Sequence, residues 1–388
     1  MFNRLSRFAA GIALVAVVAS ACSSTAATPT VAPATPAPTP VVAPVVTPVV
    51  APVVTPVASA PASAAAAVVT IKGGITGSVV VIPKNLGNAY FDAGYVGIQK
   101  AATVFGGTPS QAAPPKGGDP TAQIPFIQTA TTQKAKAILV SAEDATAIAP
   151  ALTAAKAQGV KVVMWDSNSK PGAYDIFVNQ ADTAGIGKGL AQMACDTAPS
   201  CTGEIAILSA GQTATNQNAW IAAMAETMKD PKYAGLKLVA TVYGNDVAAD
   251  STAQAQALIA AHPNLKVIVS PTSVGVLAAA QVVQSKKLIG KVAVVGLGTP
   301  KTMQAYILDG TAPEVELWNT IDLGYLAYAV AAGLVSGEIK GTVGEQFIVP
   351  TINGGKPYTI GADNTIILGD PLIFNKDNIA QFAKDLPF

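Results

Sequence analysis

Ala137-Ile-Leu-Val-Ser141, the alanine-rich stretch from Asp144 to Gln158, and Val160-Lys-Val-Val-Met-Trp165 follow one another along the chain, and their reading decides the fold. The two outer runs are short, rich in β-branched residues and almost continuously apolar, the pattern of strands buried on both faces. The middle stretch has helical spacing, and Asp144 at its start is placed to accept first-turn amide hydrogen bonds. Strand, helix and strand in this order predict a parallel sheet flanked by helices.

Outward from this unit the pattern repeats. Further strands are expected at Ser78 to Ile82, Ile176 to Val178, Glu204 to Leu208, Leu236 to Val242, Val267 to Ser270, Val292 to Val295 and Val315 to Trp318. Helical spacing covers Phe91 to Ala102, Asp182 to Ala194, Ala214 to Met228, Ser251 to Ala261 and Val274 to Ser285, with Asp182 and Ser251 as further capping candidates. These are too many units for one sheet of ordinary width. A split near Val178 to Gln180 therefore predicts an α/β fold of two doubly wound parallel-sheet lobes.

The first seventy residues have a different composition. Arg4 and Arg7 precede the uncharged run Phe8 to Ala19, and small residues lead into Cys22, the layout of an export signal over residues 1–21. The alternative, a transmembrane helix, needs roughly 20 apolar residues, and this run is shorter. Residues 22–69 form an Ala/Pro/Val/Thr-rich tether with no charge before Lys72 and ten prolines, read as a semi-rigid, extended spacer. No later apolar run is long enough to span a membrane. After export, Cys195 and Cys201 can form a local disulfide; two free thiols are the alternative.

Composition narrows the function classes. Over 388 residues, 24 Lys+Arg balance 23 Asp+Glu, so there is no net field for a nucleic acid partner. The single histidine, His262, rules out a His-rich metal site. Ser209 lacks the glycine a nucleophile elbow needs before it, Gly185-Ile-Gly187-Lys188-Gly189 lacks phosphate-loop spacing, and Gly296-Leu-Gly298 lacks a third dinucleotide-loop glycine. The chain therefore reads as a binder without cofactor or metal, not an enzyme.

In doubly wound sheets, ligands sit beyond the carboxyl ends of the strands. There the sequence is regularly polar: Lys84, Asp166, Asn216, Gln217, Ser273, Thr299 and Asn319 each follow a predicted strand. Directed Asp and Asn partners with a Lys donor suit the hydroxyls of a neutral polyol. Tyr90, Phe91, Trp165 and Trp318 flank the same loops and can cover the C–H face of a sugar, with plain core packing as the alternative for at least half of them.

Two stretches carry a resemblance. Asn88-Ala-Tyr-Phe-Asp-Ala-Gly-Tyr-Val-Gly-Ile-Gln-Lys-Ala-Ala102 and Val163-Met-Trp-Asp-Ser167 resemble the ribose-type periplasmic binding proteins of ABC importers. Ile82-Pro-Lys84, Thr215-Asn-Gln-Asn-Ala-Trp220, Pro271-Thr-Ser-Val-Gly275 and Leu317-Trp-Asn-Thr-Ile-Asp-Leu-Gly-Tyr325 are similar to the rhamnose-binding and autoinducer-2-binding branch. The resemblance implies two lobes joined by three hinge crossings near Val178, Asn319 and Ile348. The expected N-terminal lobe is 70–178 plus 320–346, and the C-terminal lobe 179–319 plus 347–388.

It further implies ligand contacts at Lys84, Asp166, Gln217 and Pro271, a stacking pair at Tyr90 and Phe91, and a second-hinge polar contact at Asn319. Asn216 and Ser273 look like the rhamnose-type proteins, whereas autoinducer-2 receptors have an aspartate and an alanine there. A deoxyhexose such as rhamnose is therefore the expected ligand, with autoinducer-2 as the alternative. Ala19-Ser20-Ala21-Cys22 resembles the lipobox of bacterial lipoproteins, which implies a lipid on Cys22; an ordinary signal with an incidental cysteine is the alternative. The implied setting is a lipid-anchored monomer at the outer face of the cytoplasmic membrane or in the periplasm, which serves a permease and its ATPase. A lipoprotein that senses the ligand for signalling is the rival reading.

Overall fold

The computed structural model describes residues 68–386, which lie within one compact unit, Ser63–Phe388. The expected signal, Cys22 and the tether up to residue 67 fall outside the described residues. Along the chain come β1 (Val69–Thr70), β2 (Ile75–Ile82), α1 (Ala89–Phe105), β3 (Gly106–Gln111), α2 (Ile124–Thr132), β4 (Ala137–Val140), α3 (Ala149–Ala157), β5 (Lys161–Trp165) and β6 (Ile176–Asn179). Next are α4 (Thr183–Thr197), β7 (Gly203–Ser209), α5 (Thr215–Thr227), β8 (Leu236–Tyr243), α6 (Ala248–Ala261), β9 (Leu265–Ser270), α7 (Ser273–Ser285), β10 (Ala293–Leu297), α8 (Pro300–Leu308) and β11 (Glu314–Leu317). The last are α9 (Thr320–Ser336), β12 (Gln346–Ile348), β13 (Tyr358–Thr359), β14 (Thr365–Ile367), β15 (Leu372–Asn375) and α10 (Ile379–Asp385).

Two six-stranded sheets form the two lobes, in the orders β14-β6-β5-β4-β2-β3 and β15-β11-β10-β9-β7-β8. Every pairing in the first is parallel. In the second, only β15 runs antiparallel, against β11. The nearly unbroken apolar runs of β4 and β5 have their explanation here, because alternate residues face opposite helical layers. Leu139, Val163 and Trp165 pack with Ile98 of α1 and Leu326 of α9. Ile138, Val162 and Met164 pack with Ile127 of α2 and Leu152 of α3.

Helices α1 and α9 approach so closely that glycine is required. A Cβ on Gly97 would lie 1.9 Å from the Ile321 carbonyl oxygen, and one on Gly324 would lie 1.9 Å from that of Gly94. Helix α9 is buried almost all round, and such a helix has no polar stripe by which period-based reading would mark it. Strand β3, Gly-Gly-Thr-Pro-Ser-Gln, is an edge strand paired among the described residues only with β2, a place that tolerates glycine and proline.

Three crossings join the lobes. The first follows β6 and the second follows β11, at Trp318 and Asn319. The third differs from the expectation near Ile348. After β12 the chain pairs in a small sheet with β1 and β13, and β14 then extends the first lobe's sheet beside β6. The final crossing therefore comes after Ile367, and residues 365–367 belong to the first lobe's sheet rather than to the second lobe. Ile366 is fully buried there, so the pairing has an apolar anchor that a three-residue strand conceals in the sequence.

The capping expectations divide. Asp182 caps α4 by accepting from the Gly185 amide at 2.7 Å. Asp144 accepts from Thr146 and Ala147, which fixes a turn ahead of α3 rather than the helix itself. Ser251 lies inside α6, which begins at Ala248, and its hydroxyl donates to the Gly244 carbonyl. Cys195 and Cys201 are disulfide-bonded at the end of α4, with Cα atoms 4.3 Å apart.

Candidate ligand-binding cleft

The loops at the carboxyl ends of the strands meet between the two sheets, around a partly open cleft whose space free of protein atoms, open solvent included, is about 360 Å³. Its lining includes Lys84, Tyr90, Phe91 and Asp166 from the first lobe, and Asn216, Gln217, Pro271 and Ser273 from the second. Local structure explains their placement. Asn88 caps α1 by accepting from the Tyr90 amide at 3.0 Å, which sets Tyr90 and Phe91 in the helix's first turn beside the cleft. Asp166 directly follows β5 with φ +63°, a left-handed conformation that Asp adopts more readily than most side chains. Asn216 and Gln217 occupy the first turn of α5, and Ser273 opens α7.

Hydrogen bonds knit the first lobe's wall together. Asp166 accepts from Tyr90 OH at 2.8 Å and from Ser141 Oγ at 2.6 Å. Lys84 Nζ lies 3.8 Å from the same carboxylate and donates across the cleft to Asn216 Oδ1 at 3.0 Å. Trp318 Nε1 donates to Tyr90 OH at 2.9 Å, and so ties the second crossing to the first wall. Burial holds the Tyr90 hydroxyl well above its ordinary value, and the Asp166 charge adds to the rise. Tyr90 is therefore a fixed donor to Asp166 at neutral pH.

In the second lobe's wall, Gln217 and Asp246 are bonded within their own lobe. Gln217 Oε1 accepts from Ser209 Oγ and the Ala210 amide, both at 2.8 Å. Asp246, which follows β8, also lines the cleft, together with Asn88, Trp220, Thr272, Leu297, Leu317 and Trp318. The Asp246 carboxyl is raised by burial, against the lowering effect of the Lys84 charge and of its bond from Thr272. Asp246 is the one ionisable lining residue that the sequence reading did not single out. Its signal was Tyr243-Gly-Asn-Asp246, a turn directly after a predicted strand.

Asn319 does not join this lining. It caps α9, accepting from the Asp322 amide at 3.2 Å and donating to Asp322 Oδ2 at 2.8 Å. It faces a separate hollow beside the hinge with Tyr358 and Asp370. The cap engages Oδ1 and one Nδ2 hydrogen of this side chain. Thr299 precedes α8 and pairs with Thr302. Trp165 is fully buried, its ring edge-on to Phe91 at 5.7 Å, so it supports the cleft without lining it.

The periplasmic binding protein domain family matches residues 79–339. Among solved structures, a solute-binding protein of an ABC transporter from Clostridium phytofermentas with bound L-rhamnose is 40% identical, covering 80% of this chain and 99% of its own at a TM-score of 0.77. A sugar ABC transporter protein from Actinomyces odontolyticus is 37% identical over 81% of this chain and 99% of its own, with a TM-score of 0.64. LsrB from Clostridium saccharobutylicum in complex with AI-2 is 26% identical over 79% of this chain and 99% of its own, with a TM-score of 0.73. Two parallel-sheet lobes, a polar cleft between them and these matches lead to one assignment: the chain belongs to the periplasmic binding protein domain family, among the solute-binding proteins of sugar ABC transporters, which bind their ligands and catalyse no reaction.

Proposed function

We propose that this protein captures a neutral deoxyhexose of the L-rhamnose type and hands it to an ABC permease driven by its ATPase. The observation that carries the reading is Asn216, an amide that faces Lys84 and Asp166 across the cleft. An amide offers both a donor and an acceptor where a carboxylate only accepts, and that changes which hydroxyl pattern the site reads. The rhamnose-bound relative at 40% identity supports the same ligand class.

Capture works through closure. A sugar that bonds Lys84 and Asp166 on one side and Asn216 and Gln217 on the other favours the closed form by the contacts that only this form makes. Tyr90 and Phe91 cover its C–H face. Export by residues 1–21, a lipid on Cys22 and the tether 22–69 place the monomer outside the cytoplasmic membrane, within reach of the permease.

Calorimetric titration of the wild type with L-rhamnose, ribose and the autoinducer-2 precursor tests this. One-to-one binding of rhamnose, with the other two weaker by at least about tenfold, a difference of about 1.4 kcal/mol, is the expected result. Tight autoinducer-2 binding without rhamnose binding would overturn it in favour of a signal receptor. Membrane release of a Cys22→Ala variant checks the anchor; continued retention contradicts it.

A further inference from the structure

Asp246 lines the cleft from the lobe opposite Asp166, so each lobe contributes one carboxylate. Its side chain has no structural duty of the usual kind. Helix α6 begins two residues later without a side-chain cap, and among the described residues no backbone amide donates to Asp246. Its one hydrogen bond comes from Thr272 Oγ1 to Oδ1, which orients the carboxylate and leaves Oδ2 without a protein donor. Asn245 and Asp246 both have left-handed φ, +55° and +50°. Two successive non-glycine residues in that region are held only where neighbours fix them. Here the Gly244 amide donates to the Ser209 carbonyl and the Asn245 amide to the Ala210 carbonyl, each at 2.9 Å.

The surroundings make this carboxylate costly. Glu143 of the first lobe, buried and with Oε2 unpartnered, lies close by. The backbone of Gly117 sits between the two, so a Cβ there would lie 3.5 Å from Asp246 Cβ and 3.6 Å from Glu143 Oε2. Asp144 lies beyond Glu143, and Lys116, Asp119 and Asp250 lie at the rim. Lys84 is the one cation among the cleft's lining residues, and it already serves Asp166 and Asn216. Asp246 is only half-buried, so its free oxygen is open to a donor that a ligand in the cleft supplies in place of water.

We propose that Asp246 is a specificity-determining residue, which accepts through Oδ2 a hydrogen bond from one hydroxyl of the bound sugar. The inference rests on the deoxyhexose reading and deepens it. The ligand presents hydroxyl donors on two opposite edges, one to Asp166 and one to Asp246, and carries no anionic group. Loss of either the acceptor or its hydroxyl removes the same charge-assisted bond.

The test is a functional-group cycle on the full-length protein: calorimetry of wild type, Asp246→Ala and Asp246→Asn with L-rhamnose and its 2-, 3- and 4-deoxy derivatives. Asp246→Ala should bind rhamnose roughly ten- to a hundredfold more weakly. One deoxy sugar should show a comparable loss on the wild type that vanishes on Asp246→Ala. Asp246→Asn preserves the side chain's shape and the Thr272 bond, and should fall between the two. It carries the same cycle if the alanine variant fails to fold. Rhamnose bound by the wild type, with each deoxy sugar losing the same factor on every variant, contradicts the inference alone. A wild type that binds none of these sugars contradicts the deoxyhexose reading and the inference together.

Discussion

The two walls of the cleft are built differently. In the first lobe, Asp166 is held by Tyr90 and Ser141, and Tyr90 in turn accepts from Trp318. In the second lobe, Gln217 is tied to the nearby Ser209 and Ala210 and Asp246 rests on a single threonine. The first wall is preorganised by side chains from distant parts of the chain, so binding there needs little reordering. The second wall keeps free polar atoms, and those are the atoms with which a receptor can discriminate among sugars.

Removing the first wall's foundation should have the largest effect. Gly97→Val pushes methyl groups into the Ile321 carbonyl and separates α1, which carries Tyr90 and Phe91, from α9. A loss of about 3 kcal/mol or more in denaturant unfolding is expected, and a change under about 1 kcal/mol would show that the helices can part freely.

Asp166→Ala follows. It removes a charge-assisted contact worth about 1.5 to 3 kcal/mol in affinity, read by calorimetry as roughly ten- to a hundredfold. The first wall should be the more sensitive of the two, so Asp166→Ala should weaken rhamnose binding more than Gln217→Ala does. The reverse order would invert the comparison.

Beneath the second wall, Glu316 on β11 is buried with Oε1 unpartnered, and burial pushes its carboxyl up to about 8. The folded protein retains this proton where the unfolded chain has lost it. The stabilising contribution is therefore complete below the ordinary glutamate range, near pH ~4.3, and is lost as pH rises through about 8. The slope from this one group is at most about 1.4 kcal/mol per pH unit. Glu316→Gln should flatten the fall in unfolding midpoint between about pH 5 and about pH 8. An identical fall in wild type and variant would assign the slope to other groups.

The smallest effect belongs to Asn319→Ala. Loss of the α9 cap should lower stability by about 1 kcal/mol and leave sugar affinity unchanged. A large loss of affinity would return Asn319 to the ligand contacts.

Asn319 also shows where sequence reading reaches its limit. Position after a strand brought Lys84, Asp166, Asn216, Gln217 and Ser273 to one cleft, because a parallel sheet sends all its strand ends to the same side. That rule also selected Asn319, which caps its own helix, and Thr299, which pairs with Thr302, since a loop residue bonded into its own helix looks the same in one dimension as one that faces a ligand. Asp246 went unmarked because Asn-Asp after a glycine reads as an ordinary turn. In the fold, alternation along β4 and β5 was legible. Helix α9 was not, because burial on all sides erases its period, and β14 was not, because three residues carry no pattern.

A crystal structure of the protein grown with L-rhamnose should show one sugar enclosed between the lobes, its hydroxyls within hydrogen-bonding distance of Lys84, Asp166 and Asn216. Density for the sugar in the hinge-side hollow of Asn319 and Asp370, with the space between the two sheets filled by water alone, would contradict that placement.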